Sequence, residues 1–358
     1  MVEGTIQAAW KQAKSILKVE NNLAPTCIVN QGQVVTNPTV MANCFNEYCV
    51  EKVKRLRGKT SSVPIYRSID RLRKWLDSKK SPSTFQLKTI SRLSFRNLMK
   101  KFKSKRAFGV DGIDSYSLKI AAPLIEDALI HLVNLSLQNC QFADIWKPQL
   151  IFPLHKKDER TKTENYQPVS HLVEIRKIVE YAVFNQVMEH FMSNDLFHQN
   201  LHGSLSGHST SAALLQVMDA LYNASEMSEM SAVLLLDQSA AYDLLDHHII
   251  LEKLRLYGFD ECSISWFKSY LGGRTQFVQV ESKLSDVQSI GDYGAPQGSV
   301  LAGLIFVIYS IDFPVNSLHG ENIVYVDDNT DIACDSDPNT RQSKIQKKAD
   351  DSSKWLKD

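Results

Sequence analysis

The apolar residues of this chain follow two periods. From Ala232 to Leu236 they are continuous and stop at Asp237, as in a short buried strand. A second apolar pair, Ile323 and Val324, leads through Tyr325 and Val326 to Asp327 and Asp328, with Asn329 and Thr330 beyond. That order predicts a hairpin with two adjacent acids at its tip, because Asp and Asn favour turns. Strands are also expected at 150–154 and 275–282. Elsewhere the helical period governs. Helices are expected over 41–53, 247–257, 262–271, 298–311 and 338–358, the last with Ile345, Ala349 and Leu356 inward. Pro123 should open a long helix through Leu124, Ala128, Leu132 and Leu135. Trp10, Ile16 and Leu17 start a first helix, and residues 58–64 read as a polar loop. This order of elements predicts an α+β fold.

The acids at the strand ends carry the chemistry. An isolated Asp pair after a strand is what a solvated turn contains. A second acidic strand end changes that reading, because Asp237, Asp327 and Asp328 together can share divalent cations. Mg²⁺ is typically held by a few carboxylates plus substrate phosphates. Two-metal enzymes place their ions roughly 3.5 to 4 Å apart for displacement at phosphorus. The expectation is a nucleotide polymerase with two Mg²⁺ or Mn²⁺ ions.

Tyr242 stands five residues past Asp237. A ring beside the sugar of an incoming nucleotide would clash with a 2′-hydroxyl, and building a clash against the competitor is a route to specificity. Deoxynucleotides are therefore the expected substrates, and RNA synthesis is disfavoured. Between the two acidic strand ends lies Gly294-Ala295-Pro296-Gln297-Gly298-Ser299, followed by apolar residues at 301, 304, 305 and 308. A turn rich in glycine lets backbone approach a nucleotide or template closely.

These residues sit in longer runs. LLLDQSAAYDLLDHHIILEKLRLYGF (234–259), SWFKSYLGGRTQFVQV (265–280), YGAPQGSVLAGLIFVIYSIDFP (293–314) and YVDDNT (325–330) resemble successive reverse transcriptase blocks. Upstream, SKRAFGVDGIDSYSLKIAAPLI (104–125), WKPQLIFPLHKKDE (146–159), NYQPVSHLVEIRKIVEYAVFNQV (165–187) and HGSLSGHSTSAALL (202–215) are similar to the segments that precede them. The resemblance is to retrotransposons without long terminal repeats, of the jockey-like LINE type, and covers roughly residues 90–358. It implies right-hand polymerase fingers (85–230) and palm (231–358) after a helical leader (1–84), with the thumb and any endonuclease missing. It also implies Asp237, Asp327 and Asp328 as catalytic metal ligands and Tyr242 as the sugar gate. Gln297 and Gly298 would lie near nucleotide and template, and Lys156 or Lys157 near the triphosphate. The implied partners are an RNA template, a DNA primer and deoxynucleoside triphosphates.

The chain departs from the family pattern at several cations. Gln167 stands where the family usually has an Arg, which removes a fixed charge and a planar fork of donors. Leu205 and His208 replace two further arginines, and Ala302-Gly303 replaces a usual Gly-Pro. These changes raise the alternative of a catalytically impaired, nucleic-acid-binding relic.

Composition adds local detail. Lys plus Arg number 41 against 40 for Asp plus Glu, so global charge does not announce a polyanionic partner. Yet between Ser78 and Val110 there are Lys79, Lys80, Lys88, Arg92, Arg96, Lys100, Lys101, Lys103, Lys105 and Arg106, and no carboxylate. Arg92, Arg96, Lys100 and Lys103 share a helical face while Ile90, Leu93 and Phe102 can face inward. With Lys105 and Arg106 they form a stripe suited to phosphates. The six cysteines show no CxxC pair and read as reduced intracellular thiols rather than staples. The longest uncharged apolar run is far short of a membrane span.

Overall fold

The computed structural model describes residues 25–58, 66–79, 81–156, 158–205, 207–238, 240–313 and 320–357. Two compact units interleave along the chain. The smaller comprises the described residues up to Cys49 with 151–169 and 277–286; the larger comprises 50–150, 170–276 and 287–358.

The smaller unit opens on a hairpin of β1 (Ile28–Asn30) and β2 (Gln33–Val35). Its turn residues Gln31 and Gly32 both take positive φ, as the favoured two-residue hairpin loop requires. The leader is therefore not wholly helical, because β-branched residues on either side of a Gln-Gly turn favour pairing over helix. The expected helix at Trp10 lies outside the described residues. Helix α1 (Pro38–Arg57) begins in this unit, where Asn37 accepts the Thr39 and Val40 N–H groups. Its Met41, Ala42 and Phe45 pack with Ile28, Ile151, Tyr166, Val278 and Val280.

The larger unit contains α2 (Tyr66–Asp77), α3 (Arg92–Lys101), α4 (Ser115–Ala121) and α5 (Glu126–Gln138). The chain then runs through β3 (Gln149–His155), β4 (Tyr166–Leu172), α6 (Arg176–Ser193), α7 (Thr210–Glu226) and β5 (Met230–Asp237). After these come α8 (His247–Leu256), α9 (Glu261–Leu271), β6 (Thr275–Val280), β7 (Lys283–Leu284) and β8 (Gln288–Ser289). Helix α10 (Ala302–Ser310), β9 (Glu321–Tyr325), β10 (Asp328–Asp335) and α11 (Pro338–Lys357) complete the order. Ser91, Asp114, Ser209, Asp246 and Asp260 each cap a helix by accepting a backbone N–H of its first turn, which satisfies donors that have no partner inside the helix. One sheet has the order β4-β3-β6-β7 with β8 on β6, and another the order β5-β10-β9. Among the described residues no single helix is long and apolar enough to cross a membrane.

Several inward faces differ from expectation. Pro123 follows α4, and α5 starts at Glu126, with Leu129, Val133 and Leu137 buried and Leu124 89% exposed. A proline lacks the N–H that would continue the preceding helix, so it closes α4 rather than opening α5. On α3, Leu93 points outward while Phe95, Leu98 and Met99 are buried, with Phe102 just beyond. These four hold the helical spacing that Leu93 breaks. On α11 the buried residues are Lys348, Ser352 and Trp355, and Leu356 is exposed. The buried Asp331 of β10 explains this: Lys348 Nζ lies 3.4 Å from it and Ser352 Oγ donates to it at 3.0 Å. Cys140 and Cys262 form a disulfide, their Cα atoms 5.3 Å apart, against the reading of six free thiols. The end of α5 and the start of α9 meet, a contact that a sequence separation of 122 conceals.

Residues 200–202 run beside β9, with His202 N–H donating to Val324 O and Val324 N–H to Asn200 O, each at 2.9 Å. This brings Gly203 beneath Val326, in the turn between β9 and β10. A Cβ at Gly203 would lie 2.2 Å from Val326 Cγ2 and 2.5 Å from its nitrogen. Gly203→Ala should therefore destabilise the protein by about 1–3 kcal/mol, as overpacking does. Denaturant titration checks this, and an unchanged midpoint would contradict the contact. His190 is buried against Phe85 and Phe259. Its Nε2 bonds Tyr257 O at 2.7 Å and its Nδ1 meets Asn194 Nδ2 at 3.2 Å, so the neutral ring is fully used. Burial holds its pKa below the ordinary value. The unfolded chain therefore takes up the proton first, and stability should be level above about pH 6.5 and fall as pH drops toward the depressed folded-state value. Melting curves across that range should show a shallower decline for His190→Gln than for the parent.

Candidate functional site

The site is built on the register of the three-stranded sheet. Strand β10 lies between β5 and β9, with Asp328 directly opposite Asp237 on one side and Tyr325 on the other. Directly opposed residues project on the same face. Val326 and Asp327 form the two-residue turn, and Val326 has φ 58°. A β-branched residue in the left-handed region is strained, and such strain persists only where the surroundings enforce it. Gly203 below and the ladder on both sides supply that enforcement.

The Asp237 and Asp328 side chains are exposed and Asp327 is half-buried. Like charges directly opposed across strands repel, and among the described residues no Lys or Arg is paired with any of the three. Three carboxylates offer hard oxygen donors of the kind Mg²⁺ and Mn²⁺ prefer. Among the described residues no three His, Cys, Asp or Glu side chains converge into a formed metal centre. The donor set fits a divalent ion, and the carboxylates would have to gather around it.

Tyr242 lies on the 3₁₀ turn Ala241–Asp243 and packs against Phe306, ring centroids 5.0 Å apart. Burial pushes its hydroxyl pKa up, a hydrogen bond with Ser204 opposes that, and the charge of Asp327 adds to it. The tyrosine is thus electrostatically coupled to the acidic turn. The segment after it is zipped to the glycine-rich turn. Gly294 N–H donates to Leu245 O at 2.7 Å, Ala295 N–H to Tyr242 O at 2.9 Å, and His247 Nε2 bonds Gly294 O at 2.8 Å. Gln297 Nε2 donates to Asp243 Oδ1 at 2.8 Å. Gly298, at φ 80°, is exposed beside it, where a side chain would be strained.

Lys156 is an exposed residue of the smaller unit, its N–H donating to Asn165 O at 2.9 Å, and Lys157 lies outside the described residues. Gln167 is exposed in the same unit. The basic stripe divides in two. Arg96 makes a two-pronged bond to Glu126 at 2.8 and 2.9 Å, and Arg92 pairs with Asp127. Arg106 stacks on Tyr116 at 3.7 Å and pairs with Asp114 at 3.3 Å. Among the described residues Lys100, Lys103 and Lys105 have no acidic partner.

The supporting roles of three residues escaped the sequence reading. Asp243 holds Gln297, and its only sequence signal is adjacency to Tyr242. Glu180 is buried on α6, paired with Arg176 at 3.1 Å, and its Oε2 accepts Val300 N–H at 2.9 Å at the end of the glycine-rich turn. The signal was present as an Arg and a Glu four apart in an otherwise apolar helix, a spacing that places them on one face. Gly203 carries no local signal, because the approach it permits is to a residue far along the chain.

Residues 154–358 match the family described as reverse transcriptase (RNA-dependent DNA polymerase). The chain is 24% identical over 316 residues to a probable RNA-directed DNA polymerase from transposon BS of Drosophila melanogaster, covering 87% of this chain and 33% of that protein. It is 26% identical to the RNA-directed DNA polymerase from mobile element jockey of the same species, over 64% of this chain and 25% of that one. A probable RNA-directed DNA polymerase from transposon X-element, also from Drosophila melanogaster, is 29% identical over 62% of this chain and 24% of its own length. The chain thus spans about a quarter to a third of the length of these relatives. The resemblance to jockey-like elements is borne out, and with more than half of its residues matched the chain belongs to the reverse transcriptase family.

Proposed function

We propose that this chain carries the nucleotide-transfer site of an RNA-directed DNA polymerase, joining deoxynucleotides to a primer 3′-hydroxyl on an RNA template. The observation that carries the reading is the pairing of Asp328 with Asp237, beside the turn that holds Asp327 and within the electrostatic reach of Tyr242. Asp237, Asp327 and Asp328 would hold two divalent ions. When bound, such ions lower the pKa of an attacking hydroxyl and neutralise charge on the phosphate oxygens. The chain's own residues do the rest by positioning. Tyr242, backed by Phe306, closes the space beside the sugar. Gln297 and Gly298 would lie near nucleotide and template, Gly298 exposed and without a side chain to obstruct them. Lys100, Lys103 and Lys105 provide charges for nucleic-acid phosphates, with Arg92, Arg96 and Arg106 already engaged by acids.

A second reading, a nucleic-acid-binding relic with impaired catalysis, is favoured by Gln167, an exposed neutral residue where the family usually has an Arg. Primer extension on an RNA template separates the two. Incorporation of deoxynucleotides supports the enzyme; retention of template and primer without incorporation supports the relic.

Two outcomes test the site. Asp237→Asn and Asp327→Asn should each lower incorporation by on the order of a hundredfold or more, since metal ions contribute several kcal/mol of transition-state stabilisation. Without metal their melting temperature should equal or exceed that of the parent, because one of three neighbouring like charges is gone. The rise in melting temperature that Mn²⁺ gives the parent should shrink in both, and an equal rise would remove the metal assignment. Tyr242→Ala should raise ribonucleotide use relative to deoxynucleotide use in single-nucleotide addition. If the ring only fills the core against Phe306, both nucleotide classes should fall together with a loss of up to about 3–5 kcal/mol in stability.

A further inference from the structure

His202 and His208 have no part in the chemistry above, and the bonds around His202 settle which of its ring nitrogens carries the proton. The chain of bonds starts at a backbone carbonyl, which can only accept. Asn200 Nδ2 donates to Asn322 O at 2.8 Å, so the other end of that amide, Oδ1, is the acceptor for Gln216 Nε2 at 3.0 Å. Gln216 therefore turns its own oxygen to His202 Nε2, 2.6 Å away. An oxygen at that position requires the proton on Nε2, which leaves the lone pair of the neutral ring on Nδ1. His202 is only 7% exposed, and its N–H is bonded to Val324 O on β9. The lone pair thus has a fixed direction.

It faces His208 Nδ1, 3.4 Å away. A well-formed hydrogen bond is shorter, about 2.7–3.2 Å. The separation is instead that of two nitrogens on one tetrahedral ion, because metal–nitrogen bonds of about 2.0–2.1 Å give a tetrahedral edge of about 3.3–3.4 Å. The backbone is held on the second side as well: His208 N–H donates to Leu205 O at 3.3 Å, and Ser209 caps α7. His208 is exposed, so water can reach the pair and complete a coordination shell.

We propose that His202 and His208 form a Zn²⁺ site through their two Nδ1 atoms. Imidazole suits zinc, whereas Mg²⁺ prefers carboxylate and water oxygens, so this pair and the acidic turn sort divalent ions by chemistry. The bond from His202 Nε2 to an amide oxygen is the kind of outer contact that fixes the tautomer and ring orientation of a metal-bound histidine. Between the two ligands lie Gly203, packed against Val326, and Ser204, hydrogen-bonded with Tyr242. An ion on the pair therefore fastens the segment that supports the acidic turn.

The test is calorimetric titration of the full chain with Zn²⁺ in excess Mg²⁺. Cysteine thiols also bind zinc, so the readout is the difference between variants. His202→Ala and His208→Ala should each weaken one zinc site at least about tenfold, and Gln216→Leu, which keeps both rings, should weaken it by about 10–100-fold. The double histidine variant should lose no more than one site, since both ligands serve a single ion. Asp327→Asn should leave this site unchanged. Melting curves accompany each variant, and the rise that Zn²⁺ gives the parent should shrink in His208→Ala, whose surface position spares the fold. Equal zinc affinity and equal melting rise in the parent and His208→Ala overturn the site and leave the two rings as a long hydrogen bond. A zinc site lost in Asp327→Asn but kept in His208→Ala places the ion at the acidic turn and overturns it too.

Discussion

The antiparallel register of β10 between its two neighbours is the constraint on which the rest of the site depends. Side chains alternate across a strand with a period of two, so a slip of one residue would turn Asp328 away from Asp237 and bring Asn329 into its place. Two features hold the register. At one end the turn has room for two residues and no more, with Val326 forced to positive φ above Gly203. Midway along the strand, Asp331 is buried and committed to Lys348, Ser352 and Asn322, the last donating to it at 2.6 Å. A buried carboxylate whose partner is removed is costly, so any shift of β10 would strand Asp331 from its partners on α11.

The second structural theme is the fastening of the glycine-rich turn. It is tied to the Tyr242 segment by backbone bonds, to α9 through Tyr270 and Ser299, and to α6 through Glu180. Arg176 and Glu180 are both fully buried, and their attraction in a medium of low dielectric must offset the loss of water around each. What the pair supplies in this fold is location, since Glu180 is the acceptor that fixes Val300 at the entrance to α10.

Much of this was legible in the sequence, for identifiable reasons. The acidic strand ends, the helices around 247–256 and 261–271 and the hairpin could be read because local period and turn chemistry agree there. The inward faces of α3, α5 and α11 could not be read with the same success. On α11 the buried stripe includes a lysine and a serine, and polarity alone places those outside; only the distant Asp331 accounts for them. The same holds for the Cys140–Cys262 bond and for Gly203, each explained by a residue more than a hundred positions away. Asp237, Tyr242, Gln297, Asp327 and Asp328 were visible as motifs, while Asp243 and Glu180, which hold those motifs in place, were not.

Strand β5 lies at the edge of its sheet and bears Asp237 at its end, while Val233 and Leu235 along it are 45% and 75% exposed. Edge strands are ordinarily guarded by a lysine, a proline or a bulge, and the run from Met230 to Leu236 contains neither of those residues. The strand that presents an acid to the site is thus also an unguarded edge on which a strand from another molecule can pair. In concentrated solution this predisposes the protein to self-association, and a charge placed at Leu235 would improve its solubility without entering the acidic turn.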